Sequence, residues 1–137
     1  MTYTGFDGDS FRAFRDVPRE GPIQMLNLVK FRAQARYEDG REATGAQAYA
    51  AYGRESAPVF KRLGGRIVWS GTMEHMLIGP SDETWDACFI AEYPSVDAFV
   101  EMIKDPDYRA AMVHRQAAVE TSRLIRMEPG KAGSGFG

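Results

Sequence analysis

Thiols and imidazoles are scarce in this sequence, with one cysteine, Cys88, and two histidines, His75 and His114. A single thiol excludes an intramolecular disulfide and a thiolate cluster for zinc. The two histidines form no i, i+4 pair and have no carboxylate at ligand spacing, so neither a metal site nor a haem ligand is expected. Charge of one sign is also missing: 17 basic residues face 19 acidic ones, for a net of −2. A nucleic-acid binder would show a basic excess or stripe, and none is expected here. No apolar run approaches the roughly 18 residues of a membrane span; the longest uncharged stretch is Ala43 to Gly53. The opening MTYTGFDGDSF has neither a basic n-region nor an apolar h-region. The expectation is a soluble, cytoplasmic protein that touches neither membrane nor nucleic acid. No glycine-rich phosphate loop follows a strand, since Gly64-Gly65 follows a helical stretch and reads as its cap. No cofactor is therefore expected.

What is present is enough apolar sequence for one core. The chain has 137 residues, 44% of them hydrophobic, which suits a single domain without staples. Residues 1–21 read as an extension. Asp9 or Ser10 can cap a short helix carrying Phe11, Phe14 and Val17 on one face, ended by Pro18 and Gly21-Pro22. Ile23 to Phe31 reads as a strand apolar on both faces, hence central. Arg32 to Gly45 is polar, with an Asp39-Gly40 turn and a small flap hairpin over Tyr37 to Glu42. Ala46 to Leu63 shows a helical stripe. Pro58 should kink it, or divide it with Ser56 as a local cap. Arg66 to Ile78 and Thr84 to Tyr93 read as two antiparallel strands, the first bent at Gly71. Ser95 opens one helix and Asp105-Pro106 opens the next, which runs to about Glu120. Ser122 to Met127 is a last strand, and 129–137 reads as a flexible tail.

The main domain, 22–128, thus runs βαββαβ. This split βαβ order predicts an α+β, ferredoxin-like fold with a four-stranded antiparallel sheet and helices on one face. The other sheet face is too apolar to sit alone in water, which predicts a homodimer. The segments LNLVKF, YAAYG, LGGRIVWSG, FIAEYPSVDAF and DPDYRAAMVHRQAAVETSRLI carry a resemblance over Pro22 to Met127. The chain resembles domain-of-unknown-function family 1330, of the dimeric α/β-barrel superfamily. That resemblance implies the dimeric barrel fold. It assigns no activity, because the wider superfamily spans cofactor-free monooxygenases, lactone isomerases, haem enzymes and ligand sensors.

Five residues stand out as site candidates. Asn27 interrupts an apolar strand face and must find a partner there, in a ligand cavity or in a neighbouring loop. Arg115 lies on the inward stripe of Tyr108, Ala111, Met112 and Val119. A guanidinium there can anchor an anionic substrate or pair with an acid such as Glu92 or Glu120. His114, beside small alanines, is the candidate acid–base catalyst, against a packing or surface role. Tyr52, one turn from Tyr49, can present a hydroxyl to a cavity, or be core with a wet tip. Trp69 is the candidate aromatic wall, or plain packing. His75 reads as a strand histidine without a site, and Cys88 as an inert thiol. Two functions follow. One is a small-molecule enzyme acting on an anionic or carbonyl-bearing substrate by cofactor-free acid–base or oxidative chemistry. The other is a non-catalytic dimeric ligand-binding or sensor module. Sequence leaves open which of the two it is.

Overall fold

The computed structural model describes residues 2–133 and 135–136. Its elements are α1 (Gly8–Asp16), β1 (Ile23–Phe31), α2 (Gly45–Arg62), β2 (Arg66–Gly71), β3 (Ala87–Tyr93), α3 (Val96–Lys104), α4 (Pro106–Ala118) and β4 (Val119–Met127). The strands form one sheet in the order β2-β3-β1-β4. Every pairing is antiparallel. This is the ferredoxin-like arrangement, with α1 added ahead of it.

Alternation along β1 sets the inside of the molecule. Ile23, Met25 and Val29 are buried, as inward positions of a central strand should be. Ile23 and Met25 pack with Ala91 and Tyr93 of β3, Val59 of α2, Phe99 and Met102 of α3, and Tyr108 of α4. Each large side chain so buried contributes roughly 1.5–3 kcal/mol relative to exposure. Val29 belongs to a second cluster with Ala48, Ala118 and Val119. The alanines there let α2 and α4 approach the sheet closely.

Helix starts follow local chemistry. Thr44 accepts from the Gln47 amide, and the Gln47 side chain accepts from the Thr44 amide, closing a capping box on α2. Ser95 caps α3, and Asp105 caps α4 ahead of Pro106 at its first turn. Gly64, at φ +84, ends α2 in the left-handed conformation that a side chain resists.

Several expectations change. Pro58 neither divides α2 nor starts a new helix: the helix runs unbroken through it, and Ser56 caps nothing. Pro58 and Arg54 both lie on the exposed side. The carbonyl that Pro58 leaves without a donor therefore meets water at little cost. The long strand expected to Ile78 stops at Gly71, and residues 72–86 are irregular. Leu77 and Ile78 are solvent-exposed, and His75 lies in this stretch, outside any strand. The expected α1 cap moves from Asp9 or Ser10 to Asp7, whose carboxylate accepts from the Ser10 amide. The 32–45 segment is held as a narrow loop by a Gln34–Thr44 bridge and a Tyr37–Gly40 turn. Within the expected tail, Ser134 and Gly137 lie outside the described residues; the rest has no regular secondary structure.

Candidate functional site

A cavity of about 980 Å³ opens between the inward sheet face, α2, α4 and the N-terminal segment. That is the upper end of the size range of small-molecule sites. Its floor is Met25, Asn27, Phe89 and Ala91. Tyr49 and Tyr52 of α2 and Tyr108, Met112 and Arg115 of α4 form its walls. Phe6, Phe11 and Phe14 cover it.

Polar groups are few and specific. Asn27 is half-buried and donates from Nδ2 to the Met25 carbonyl at 3.0 Å. Its carbonyl oxygen accepts no bond from the described residues and is available as an acceptor. The hydroxyls of Tyr52 and Tyr108 meet at 2.7 Å. One proton closes that bond, so the accepting phenol keeps a proton to donate elsewhere. Burial is the largest cause that pushes the phenols of Tyr49, Tyr52, Tyr93 and Tyr108 above their ordinary range. The Arg115 charge pulls Tyr49, Tyr52 and Tyr108 partly back. They remain neutral donors at physiological pH.

Arg115 is the most informative group. It donates from Nη1 to the Thr4 carbonyl at 2.7 Å and from Nη2 to Ser122 Oγ at 3.4 Å. No carboxylate pairs with it among the described residues: Glu92 binds Gln24 and Arg66, and Glu120 pairs with Lys30. Arg126, also in the lining, donates only to the carbonyls of Phe14 (2.5 Å) and Arg19 (3.4 Å). Burial draws its pKa below the ordinary value, and the like charge of Arg19 adds to this. Among the described residues the lining cations are Lys61, Arg66, Arg115, Arg123 and Arg126, and the lining carboxylate is Asp7. Arg66 and Arg123 are offset by Glu92 and Glu83, which leaves Lys61, Arg115 and Arg126 as the lining cations without a carboxylate partner among the described residues.

The cavity therefore brings together three of the five sequence candidates, Asn27, Tyr52 and Arg115. His114 and Trp69 are not among its lining residues, so the five do not share one pocket. His114 points to another side of α4. Its Nδ1 lies 2.6 Å from the Tyr37 hydroxyl, and its Nε2 lies 2.6 Å from Glu55. It ties the 32–44 loop to both helices. Trp69 is displaced by a register shift between Ile67 and Trp69. Ile67 lines the cavity, but Trp69 pairs opposite Ile90 on the outer face and is 51% exposed. A β-bulge reverses the alternation from which an inward Trp69 would follow. Sequence reading missed Arg126 and the covering phenylalanines. The signal for Arg126 was its place with Ser122 and Leu124 on one face of β4. The cover had no signal, because it depends on where the N-terminal segment docks.

Fold and cavity together define a ferredoxin-like α+β protein with a roofed internal chamber. The chain belongs to the family described as Domain of unknown function (DUF1330), whose model matches residues 40–128. It is similar to a crystal structure of methylated RPA0582 protein, with 63% identity, a TM-score of 0.94, and coverage of 97% of this chain and 98% of that one. It is equally similar to the RPA0582 protein of unknown function from Rhodopseudomonas palustris, with 62% identity, a TM-score of 0.92, and coverage of 96% and 100%. A cofactor-independent oxygenase from Streptomyces nogalater, SnoaB, matches at 18% identity and TM-score 0.48 over 81% of this chain and 95% of that one. That likeness is too distant to carry an argument about function. No curated protein matches the chain. No helix among the described residues is long and apolar enough to cross a membrane.

Proposed function

We propose that the protein binds a small organic anion with an apolar body in this cavity. The observation that carries the reading is Arg115, a cavity guanidinium without a carboxylate partner among the described residues, beside the aromatic and aliphatic surface of Met25, Phe89, Tyr49 and Tyr52. A half-buried guanidinium that donates only to neutral oxygens has room for a stronger acceptor, and a carboxylate or enolate would supply it. The Tyr52–Tyr108 hydroxyls and the Asn27 carbonyl then fix the orientation of a carbonyl or hydroxyl on the same ligand. Of the two functional classes, the binding or sensor module fits this lining better. Acid–base catalysis needs a proton acceptor at the ligand, and His114 is engaged with Tyr37 and Glu55 away from the cavity. Asp7, the lining carboxylate, is held below its usual pKa, chiefly by the Ser10 amide, which makes it a weak base. The catalytic contribution these donors can make is electrostatic stabilisation of negative charge on a substrate oxygen.

A homodimer is the second part of the proposal. Trp69, Ile90, Leu26 and Ile125 stand opposite one another across the outer sheet face. Trp69 and Ile125 are 51% and 46% exposed. A continuous apolar row on an open face calls for a covering surface, and a second copy offers the same row.

Two naphthalene dyes test the ligand reading. 8-Anilinonaphthalene-1-sulfonate carries an anion on an apolar body, and N-phenyl-1-naphthylamine is its neutral counterpart. Fluorescence titration should show the sulfonate dye bound more tightly. Arg115→Gln should weaken it about tenfold, equivalent to about 1.4 kcal/mol, and leave the neutral dye within about twofold. Equal losses for both dyes, or none, would count against the anion site.

A further inference from the structure

We propose that residues 3–19 form a hinged strap over the cavity, and that an anionic occupant unlatches it by taking Arg115 from the Thr4 carbonyl. The inference rests on the ligand reading above and adds how entry is controlled.

The strap is roof and nothing else. Tyr3, Phe6, Phe11 and Phe14 line the cavity, yet α1 contains no buried residue. Phe6 packs on Phe11 at 5.2 Å between ring centroids, and Phe11 on Phe14 at 6.0 Å. Of these rings, Phe14 is the one that reaches the core, 5.1 Å from Phe99. Among the described residues, no hydrogen bond joins residues 5–13 to the body of the domain. A segment held by so few buried contacts belongs to the low-stability end of a protein's local openings.

It is fastened at two ends by body side chains and one body amide. At the first end, the Tyr3 carbonyl accepts from the Ser122 amide at 2.7 Å and from Ser122 Oγ at 2.9 Å. The Thr4 carbonyl accepts from Arg115. At the second end, Arg126 donates to the carbonyls of Phe14 and Arg19, with Pro18 between them and the positive-φ Gly21 just beyond. The second end is a hinge, because Phe14 is also anchored in the core. The first end is a latch, because Arg115 meets only a neutral carbonyl there; the Tyr3 amide also donates to Thr121 Oγ1 at 3.0 Å, and the Arg123 guanidinium lies 4.9 Å from the Tyr3 ring. A ligand carboxylate or sulfonate is a stronger acceptor for a guanidinium than a peptide oxygen and matches its fork in two bonds. The group that recognises the anion is thus one of the groups that hold the strap shut, beside Ser122 and Thr121. Selectivity for anions then follows from access as well as from affinity.

Hydrogen exchange on the full chain reads the latch at the Ser122 amide. In the free protein, Ser122 should exchange about 100-fold faster than the amides of central strands β1 and β3. Arg115→Gln should raise its rate about tenfold further. Ser122→Ala, which removes one donor to the Tyr3 carbonyl, should shift the same amide in the same direction. Saturating 8-anilinonaphthalene-1-sulfonate should speed Ser122 exchange in the unsubstituted protein, and N-phenyl-1-naphthylamine should not. A Ser122 amide protected as fully as the central strands overturns the strap. So does sulfonate-dye binding in the cavity that leaves Ser122 exchange unchanged, though the ligand reading then stands. Absence of dye binding, with fast Ser122 exchange that Arg115→Gln accelerates, overturns the ligand reading and keeps the mobile strap.

Discussion

Arg115 shows what one residue reveals and hides. Its place on the inward stripe of α4 is readable from spacing alone, and so is the implication that it needs an anion or several carbonyls. The partner it has found, Thr4, is 111 residues away in sequence, beyond any local pattern. Asn27 is similar: the break in an apolar face is visible in sequence, but the donation to Met25 is a matter of side-chain rotation. His114 adjoins Arg115 in the chain yet points about 100° round the helix, so adjacency in sequence separates them in space. The chemistry of Arg115 also makes the dye series more specific. Arg115→Lys keeps the charge and loses the planar fork, so its affinity for the sulfonate dye should fall between those of the unsubstituted and Gln forms.

Elements were more legible than residues. Capping signals at Ser95 and Asp105-Pro106 and the alternation of β1 are local physics, and the structure follows them. Strand β2 was less legible. Its early stop at Gly71 and the shift after Ile67 are set by pairing with β3, which periodicity cannot register. The 32–44 loop is a related case. It does not line the cavity; it is pinned to α2 and α4 through the Glu55–His114–Tyr37 chain, with the Arg41 guanidinium over the Tyr37 ring at 4.4 Å. His114→Ala should therefore cost about 1 kcal/mol of stability through the lost Tyr37 hydrogen bond and the lost Glu55 contact. Urea unfolding would measure this, and dye affinity should stay within about twofold. A tenfold loss of sulfonate-dye affinity with stability unchanged would move His114 into the ligand site.

The whole molecule has two surfaces with different tasks. The inward face with its roof forms the chamber, and the outer face carries the Trp69–Ile90–Leu26–Ile125 row. A charge placed in that row at an interface between copies would be buried without a partner. Ile125→Glu should accordingly shift sedimentation equilibrium from dimer to monomer at micromolar concentration, with the far-ultraviolet spectrum retained. An unchanged oligomeric state would remove this face from the interface. The extension, which reads as an appendage in sequence, completes the chamber in the fold. The central claim is that Arg115 anchors an anion inside that chamber. A crystal structure of the full chain with 8-anilinonaphthalene-1-sulfonate tests it most directly. The account predicts the sulfonate on the Arg115 guanidinium, the rings among Met25, Phe89 and Tyr52, and the Thr4 carbonyl released. Dye seated on the outer sheet face, with Arg115 still bonded to Thr4, would contradict it.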